Sequence, residues 1–550
     1  MASSLAIALL LAACSGADDA TEPGETAAPG ETAAPGETAA PGETAAPGEP
    51  VEGGTLRYAY VGDPVSLDSM THDGNPATPQ DGIFERLYGF GKDTFPLPFL
   101  ASHHEVSDDG LTWTIHLREG IMFHNGEEMT ADDVLASWER YQAVGARMNE
   151  YFMVDEIVKS GDYSIDIVTN EPHGGVVESL AAATGSFVIM PESVIDQLGP
   201  EFEPDLPFDS DVLVGTGPYR YVEHQPEQLW VLERFDDYWG GPPDLTPEDG
   251  YMVTGRDAYI DRIEYHIITD PATRVSAVLN DEIDVAAPIP ADQADAVKDE
   301  AGINVQVSVP GRRAYWKFNT TKPPFDDLTL RQAVRAGVDP EQQMAAFGPP
   351  EYWRVNCTPR ITEEHFAWQD YCAEYYPRDI ELARQLVEES DYDGSPVRVL
   401  GSEGRPENPI FIPMITYLEE IGINVEPVVV DVATYQEMRS DPAEDWHLKI
   451  AGGQPITSTE YLNAMGYDRQ GERWPGVDDQ YYDSIAAAAR TEDRDERAEL
   501  INEAYDSLMD SVVDLWIGDE LTAALYRDRV HGLPDDDYEF HWFNAWLDPQ

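Results

Sequence analysis

The sequence predicts an α/β protein with mixed sheets, built around more than one hydrophobic core. Its 550 residues, of which 42% are apolar and 10% aromatic, suffice for two or three substantial cores. Strand patterns and helix patterns also follow one another, both early and late in the chain. This interleaving is typical of α/β lobes.

The clearest early elements lie between residues 111 and 141. Apolar residues alternate with Thr and His over 111–117, which predicts a half-buried strand. A turn at Asn125-Gly126 follows, and Thr130 with Asp133 has the pattern of a helix N-cap. The helix itself is predicted from apolar residues that recur at helical spacing: Val134, Leu135, Trp138 and Tyr141.

A second helix and strand succession lies between residues 380 and 430. Residues 380–389 predict a helix with Leu382 and Leu386 on one face. Gly422 is typical of a residue that ends a helix, and 423–430 then predicts a buried strand.

The charge of the chain excludes several partners. It has 105 acidic and 34 basic side chains, a net charge of −71, and only nine of the acids precede Gly53. Such a surface repels nucleic acid and anionic lipid headgroups. At molar salt the Debye length falls to about 3 Å, so we predict a halophilic source. An ordinary acidic exported protein is the alternative.

The N-terminal segment predicts export and lipid anchoring. An apolar run ends in Leu11-Ala12-Ala13-Cys14 and resembles a bacterial lipobox, so we expect a signal peptide at 1–14 and lipidation of Cys14. Residues 15–52 repeat Gly-Glu-Thr-Ala-Ala-Pro and predict a disordered tether. Membrane contact is then expected through the lipid only. A secretory signal with an incidental cysteine is the alternative.

Two further cysteines, Cys357 and Cys372, complete the set. Because an exported protein lies in a compartment that permits disulfides, we predict that they pair. Two unpaired buried thiols are the alternative. Their wide spacing, without histidine pairs nearby, disfavours a zinc site, and we predict neither a metal nor a cofactor.

Three ordered segments carry a family resemblance. They are Leu117–Val134 (LREGIMFHNGEEMTADDV), Gly215–Tyr219 (GTGPY) and Phe318–Glu341 (FNTTKPPFDDLTLRQAVRAGVDPE). Together they resemble family 5 of the extracellular solute-binding proteins, the dipeptide, oligopeptide and nickel-binding type. Within them, Gly217-Pro218 predicts a tight turn, Asp326 or Asp327 a helix cap, and Arg331 an ion pair with nearby carboxylates.

The resemblance implies the class II bilobal fold of periplasmic binding proteins, with mixed sheets flanked by helices and an extra subdomain. By analogy, lobe I comprises 53–75, 207–311 and 516–550, the extra subdomain 76–206, and lobe II 312–515. The lobes would close over a solute in the cleft between them.

The implied function is capture of a small solute, most simply a peptide, for delivery to the permease and ATPase subunits of an ABC importer. We expect an exported monomer that is not an enzyme. An exported hydrolase acting on peptides or glycosides is one alternative, although the sequence has neither a His-Glu-x-x-His nor a Gly-x-Ser-x-Gly motif. A structural cell-surface protein, or a binding protein for a sugar or nickel chelate, are others.

The resemblance also points to candidate ligand-binding residues. Peptide-binding relatives carry Gly-Trp-x-x-Asp where this chain has Gly453 in place of the tryptophan and Ile456 in place of the aspartate. Glu460 and Asp445 are nearby candidates for a substitute acid. The cluster His103-His104-Glu105 is interpreted as a solvated loop rather than as a nickel contact. The predicted ligand-binding residues, including aromatic walls, are Tyr315, Trp316, Trp353, Gly452, Gly453, Gln454, Glu460 and Tyr461.

Overall fold

The structure is a computed structural model whose described residues all lie within 49–550. Cys14, the signal peptide and nearly all of the repeat tether lie outside the described residues. The structure describes residues 49–62, 67–71, 80–145, 148, 153–181, 187–198, 206–207, 209–243, 245, 257–308, 311–359, 361, 363, 365–403, 408–440, 445–453, 468–469, 472–491, 493–533 and 542–548.

The strands are numbered in chain order. They are β1 Thr55–Tyr60, β2 Tyr88–Phe90, β3 Pro96–Pro98, β4 Ala101–Val106, β5 Thr112–Leu117, β6 Val154–Gly161, β7 Ser164–Thr169, β8 Tyr219–Gln225, β9 Leu229–Arg234, β10 Arg262–Ile267, β11 Val285–Ile289, β12 Ile303–Val307, β13 Arg312–Phe318, β14 Trp353–Val355, β15 Val397–Ser402, β16 Val425–Val430, β17 Leu448–Gly453, β18 Asp468–Arg469, β19 Glu472–Arg473, β20 Asp514–Glu520, β21 Ala523–Arg527, β22 Val530–His531 and β23 Trp546–Leu547.

The α-helices are numbered in the same way. They are α1 Gln80–Ile83, α2 Ala131–Val144, α3 Val176–Ala181, α4 Glu192–Leu198, α5 Pro271–Leu279, α6 Ala291–Val297, α7 Leu328–Gly337, α8 Pro340–Met344, α9 Cys372–Tyr375, α10 Ile380–Glu389, α11 Phe411–Glu420, α12 Val432–Ser440, α13 Asp479–Ala488 and α14 Arg494–Ser511.

Two large mixed sheets organise the described residues. The first has the strand order β12-β21-β11-β1-β10-β9-β8, in which β1 runs parallel to β10 and β11. The second has the order β14-β20-β13-β17-β15-β16, in which β15 runs parallel to β16 and β17. Strand β13 is antiparallel to both of its neighbours. The mixed α/β architecture predicted from the sequence is confirmed.

A smaller sheet, with the order β4-β5-β7-β6, lies in the region predicted as the extra subdomain. Strand β5 alternates half-buried and buried side chains, as its sequence predicts. At the start of α2, the main-chain N–H of Thr130 donates to the Asp133 carboxylate at 2.7 Å. The same carboxylate accepts from the N–H of Glu192 at 2.8 Å, so the predicted cap also anchors α4.

The order of the described strands shows that the chain passes between the two large sheets twice, and the described residues Ser308 and Thr522 of the two passages lie side by side. The first follows β12 and the second joins β20 to β21. The N–H of Ser308 donates to the Thr522 carbonyl at 2.7 Å, and the N–H of Thr522 donates to the Ser308 hydroxyl at 3.0 Å. A Cβ on Gly311 would lie 2.4 Å from the Glu520 carbonyl oxygen, so this close approach requires glycine. Paired, narrow connections of this kind suit a hinge.

The position of the second passage moves one predicted domain boundary. Residues 516–520 belong to β20, which pairs with β13 in the second sheet. They therefore lie with the predicted lobe II rather than with lobe I, and the boundary falls at 520 instead of 515. The division into lobes otherwise stays a prediction.

Three local predictions are wrong in detail. Leu382 is 43% exposed, because the buried face of α10 is centred on Ala383. Strand β16 is half-exposed rather than buried, because it lies at the edge of its sheet. Arg331 pairs with no carboxylate of a described residue: its guanidinium donates to the main-chain carbonyls of four residues, Phe325, Asp326, Ser511 and Val512. By contrast, Asp327 caps α7 as predicted, accepting from the N–H of Thr329.

Cys357 and Cys372 form a disulfide with a Cα–Cα distance of 5.0 Å. The bond closes a loop over a sequence separation of 15 residues, so we expect its reduction to lower the free energy of unfolding by about 3 kcal/mol. Urea unfolding with and without reductant measures this difference. The Cys372→Ser variant should be insensitive to reductant, and an equal effect of reductant on both proteins would contradict the prediction.

Candidate functional site

The carboxyl ends of the parallel strands in both large sheets lie towards the passages between them. In the first sheet, β11 and β12 run towards the first passage, and β1 and β10 run in the same direction as β11. In the second sheet, β17 is antiparallel to β13, so its carboxyl end lies beside the start of β13. Ligands of open α/β sheets bind outside the carboxyl ends of the strands. The candidate site is therefore the space flanked by these strand ends, which we call the interlobe cleft.

The predicted aromatic residues do not share one face. Successive residues of a strand point to opposite sides of the sheet, so Tyr315 and Trp316 face apart. Trp316 is fully buried, and its indole N–H donates to the Gln343 side-chain oxygen at 3.0 Å. Because this indole is part of the lobe II core, the prediction that it lines the pocket is wrong. Tyr315 is half-buried and stacks on Trp516 with ring centroids 4.4 Å apart.

Trp353 and the two glycines lie at the cleft end of the second sheet. Trp353 begins β14 opposite Glu520, the last residue of β20 before the second passage. Gly452 and Gly453 end β17, and Gly453 lies opposite Arg313. Among the described residues, no atom lies within 4 Å of a Cβ placed on Gly453, so these residues leave open space where relatives carry a tryptophan.

The remaining predicted ligand-binding residues, Gln454, Glu460 and Tyr461, lie outside the described residues, as does Ile456. Asp445 is described, and it precedes the opposite end of β17 from Gly453. At about 3.3 Å per residue, the two ends of this strand are roughly 17 Å apart. Asp445 is exposed and pairs with Arg398 at 3.3 Å, so it is not a substitute acid beside Gly453.

A buried acid that the sequence analysis did not single out lies next to the second passage. Asp519 is fully buried, and its carboxylate lies 2.7 Å from Nε of Arg313 and 2.9 Å from Nε of Arg354. Asn356 donates to the same carboxylate at 3.1 Å. Burial lowers the pKa of Arg313, and the charge of Asp519 acts against that effect. This cluster fixes the strand ends β13, β14 and β20 to one another at the cleft.

A second buried ion pair joins the predicted lobe II to the predicted subdomain. Arg497 of α14 pairs with Glu178 of α3, and both side chains are at most 2% exposed. Arg497 also donates to the Gly174 carbonyl at 3.1 Å. In the disulfide loop, the N–H of Phe366 donates to the Asp93 carbonyl at 3.0 Å. These contacts form what we call the α3–α14 latch, which holds the subdomain against lobe II.

Two buried histidines flank the latch. His173 precedes Gly174, and its Nδ1 accepts from the N–H of Gly175 at 3.0 Å. Nδ1 of His365 accepts from the N–H of Ala367 at 3.1 Å. Burial lowers the pKa of His173 to about 4 and that of His365 to about 3. Both imidazoles are therefore neutral in the folded protein at neutral pH.

Acid should weaken the fold through His173. Below pH 6.5 the unfolded chain binds a proton that the folded chain does not, so stability falls as the pH drops towards 4. We expect this residue to contribute a loss of about 2 kcal/mol between pH 7.5 and 4.5. Urea unfolding at both pH values, in molar salt, should show a correspondingly smaller loss for His173→Gln. Identical losses in the two proteins would refute the assignment.

A cavity of about 530 Å³ lies elsewhere, beside the first large sheet. It is lined by residues of the subdomain and of the hairpin β8–β9, among them His124, Gln197, Arg220, Tyr221 and Glu233. His124 is held by its Nε2, which lies 2.9 Å from the Gly217 carbonyl oxygen. The cavity is lined by the subdomain, by residues of the segment 210–214 and by the β8–β9 edge of the first sheet. This edge is far in strand order from the passages, so the cavity is not part of the candidate site.

The histidine cluster His103-His104-Glu105 lies in a strand and not in a loop. His103, His104 and Glu105 lie within β4, whose side chains alternate between the sheet's faces. The prediction of a solvated loop is therefore wrong, although the turn at residues 107–110 is present, with the N–H of Gly110 donating to the Ser107 carbonyl at 2.8 Å.

The family is decided by a comparison with known proteins. The family model described as "Bacterial extracellular solute-binding proteins, family 5 Middle" matches residues 96–472. The chain belongs to family 5. The resemblance read from the sequence is thereby confirmed, and the assigned role is that of an exported solute-binding protein.

Individual family 5 relatives match along most of their length. A glutathione-binding protein, GsiB of Pectobacterium atrosepticum, is 25% identical and is matched over 86% of this chain and 91% of its own. The dipeptide-binding protein of Escherichia coli is 25% identical, over 90% and 94%. The structure of DppA from Helicobacter pylori in complex with the peptide STSA has a TM-score of 0.71 at 20% identity, over 91% and 99%. Such structural neighbours confirm the bilobal class II fold.

No helix among the described residues is both long enough and apolar enough to span a membrane.

Proposed function

We propose that this family 5 protein is the solute receptor of an ABC importer and that its solute is a peptide. The observation that carries the proposal is the orientation of the two sheets, whose strand ends flank the paired passages at Ser308 and Thr522. A cleft beside a hinge suits reversible capture rather than turnover. Relatives named for a dipeptide and for glutathione support a peptide-like solute.

The cleft end of the second sheet supplies the proposed contacts. Tyr315 and Trp353 offer ring edges and Gly452-Gly453 offers main-chain groups, together with Gln454, Glu460 and Tyr461 beyond the described end of β17. The open space beside Gly453 leaves room for a solute side chain. Because Ile456 replaces the aspartate of peptide-binding relatives, another acid must meet the amine of a peptide, and we propose Glu460.

The setting of the protein is also part of the proposal. We infer that Cys14 carries the lipid anchor, that the repeat over 15–52 is a tether and that the protein acts as a monomer without enzymatic activity. The net charge of −71 favours function at high salt.

Mass spectrometry of the solute released on denaturation tests the proposal. The protein, purified in molar salt, should release one peptide per chain. Release of a sugar, a metal chelate or another solute without an amine would overturn the peptide assignment while preserving the role as a receptor. Turnover of peptides or glycosides without stoichiometric binding would overturn both.

A further inference from the structure

Two histidines and a glutamate lie together on the outer face of the subdomain sheet. His103 and His116 are opposite one another in the β4–β5 register, and Glu105 is two residues beyond His103, on the same face. One ligand atom from each of the three side chains lies within 4.8 Å of the other two. His104, between them in sequence, faces the core and contacts Trp113. The three residues form what we call the β4–β5 triad.

A bulge in β4 brings the two histidines face to face. The register shifts between Ala101 and His103, which leaves Ser102 as the extra residue. The rings of His103 and His116 consequently stack, with centroids 4.3 Å apart and planes 7° from parallel. Bulges commonly re-aim side chains in this way.

Ser102 also prepares His103 to bind a cation. Its hydroxyl donates to the His116 carbonyl at 3.1 Å, which uses its one proton. The Nδ1 of His103, 3.0 Å from the same hydroxyl, must then be the donor in their hydrogen bond. In the neutral ring this tautomer leaves the lone pair on Nε2, as in metal sites where a second hydrogen bond orients the ligand. Nε2 of His116 is buried and has no hydrogen-bond partner among the described residues.

We propose that His103, Glu105 and His116 bind a late first-row divalent metal ion, with Zn²⁺ as the representative. Two imidazoles and one carboxylate match this class, whereas Mg²⁺ and Ca²⁺ prefer oxygen ligands alone. Tetrahedral Zn²⁺ needs ligand atoms about 3.3 Å apart. Small rotations of the exposed His103 and Glu105 side chains can bring their ligand atoms to this distance from the half-buried His116. The acidic surface raises the local concentration of cations. The ion would join β4 to β5 on the side of the sheet away from the core.

Zn²⁺ titration calorimetry on the full chain tests this site. The titration is done in molar NaCl and millimolar Mg²⁺, so that Na⁺ and Mg²⁺ occupy weak carboxylate sites. Under these conditions one Zn²⁺ should bind per chain. The variants His103→Ala and His116→Ala should each lower its affinity at least tenfold, and Ser102→Ala by about tenfold through the lost orientation of His103. His266→Ala is the matched control, because His266 lies 3.5 Å from Glu264 without a second histidine in contact among the described groups.

Folding is checked separately by circular dichroism, and Glu105→Gln provides a variant of nearly unchanged shape. We expect Glu105→Gln to retain the fold and to weaken Zn²⁺ binding. Zn²⁺ binding that is unchanged in both histidine variants, or that Mg²⁺ abolishes in the wild type, would overturn the proposal. The solute released from the cleft should be the same in all of these variants.

Discussion

Replacing Asp519 with alanine should lower the free energy of unfolding by about 3–5 kcal/mol, among the largest effects of any single substitution in this chain. The carboxylate is fully buried between Arg313 and Arg354, so its removal takes a buried negative charge away from two guanidinium groups. The energetic cost is largest at Arg313, because its side chain is only 2% exposed. Urea unfolding followed by tryptophan fluorescence measures the change.

The matched control is Glu363→Ala. Glu363 lies 3.7 Å from the same Arg354, but its side chain is 47% exposed, and such pairs contribute at most about 1 kcal/mol. The salt dependence of the two substitutions should also differ, since salt screens buried ion pairs much less than exposed ion pairs. The loss for Asp519→Ala should therefore persist in molar NaCl. Equal effects of the two substitutions would contradict the role assigned to the buried cluster.

Replacing Glu178 with alanine should weaken solute binding at least tenfold. In the α3–α14 latch, Glu178 neutralises the buried Arg497. We expect the cleft to open by moving the subdomain away from lobe II, which would return Arg497 to water. Without Glu178 the latched arrangement loses a buried ion-pair partner of Arg497, and breaking a buried pair costs up to about 3–5 kcal/mol. A closed state that is less populated lowers the apparent affinity in proportion. Calorimetry with the solute identified from the purified protein measures this loss.

Glu171→Ala tests whether burial of the Glu178–Arg497 pair causes the loss of solute affinity. Glu171 pairs with Arg490 at 3.5 Å across the same interface, but both side chains are about half exposed. This variant should bind the solute within about threefold of the wild type, because exposed pairs are weak. If both variants lost affinity equally, general repulsion across the interface, not the buried pair, would explain the result.

Local features of the fold were predictable because they depend on neighbouring residues. Thr130 with Asp133, Asp327 before α7 and Gly422 after α11 are read within a few positions, and each acts as predicted. The strand at β5 was also evident, since one face is buried and the other is not. The family motifs then allowed the fold of the whole chain to be predicted.

The candidate site was less predictable, because its main contacts are remote in sequence. Arg497 and Glu178 are separated by 319 positions, and no local pattern marks either of them. Among 105 acids, Asp519 carries no distinguishing signal until β13 and β14 enclose it. Strand β4 was missed because its outer face is polar. The period of two of a strand would have placed Tyr315 and Trp316 on opposite faces, but both were predicted to line the pocket.

Binding of the identified solute to solute-free wild type and to Gly453→Trp tests the central claim most directly. The fold should accept tryptophan because no atom of the residues that the structure describes lies within 4 Å of the added Cβ. Val429→Trp on the exposed edge strand β16 provides the control. If the interlobe cleft holds the solute, the wild type and Val429→Trp will bind one solute per chain with equal affinity, and Gly453→Trp will bind at least tenfold more weakly. Unchanged binding by a correctly folded Gly453→Trp would contradict the location of the site.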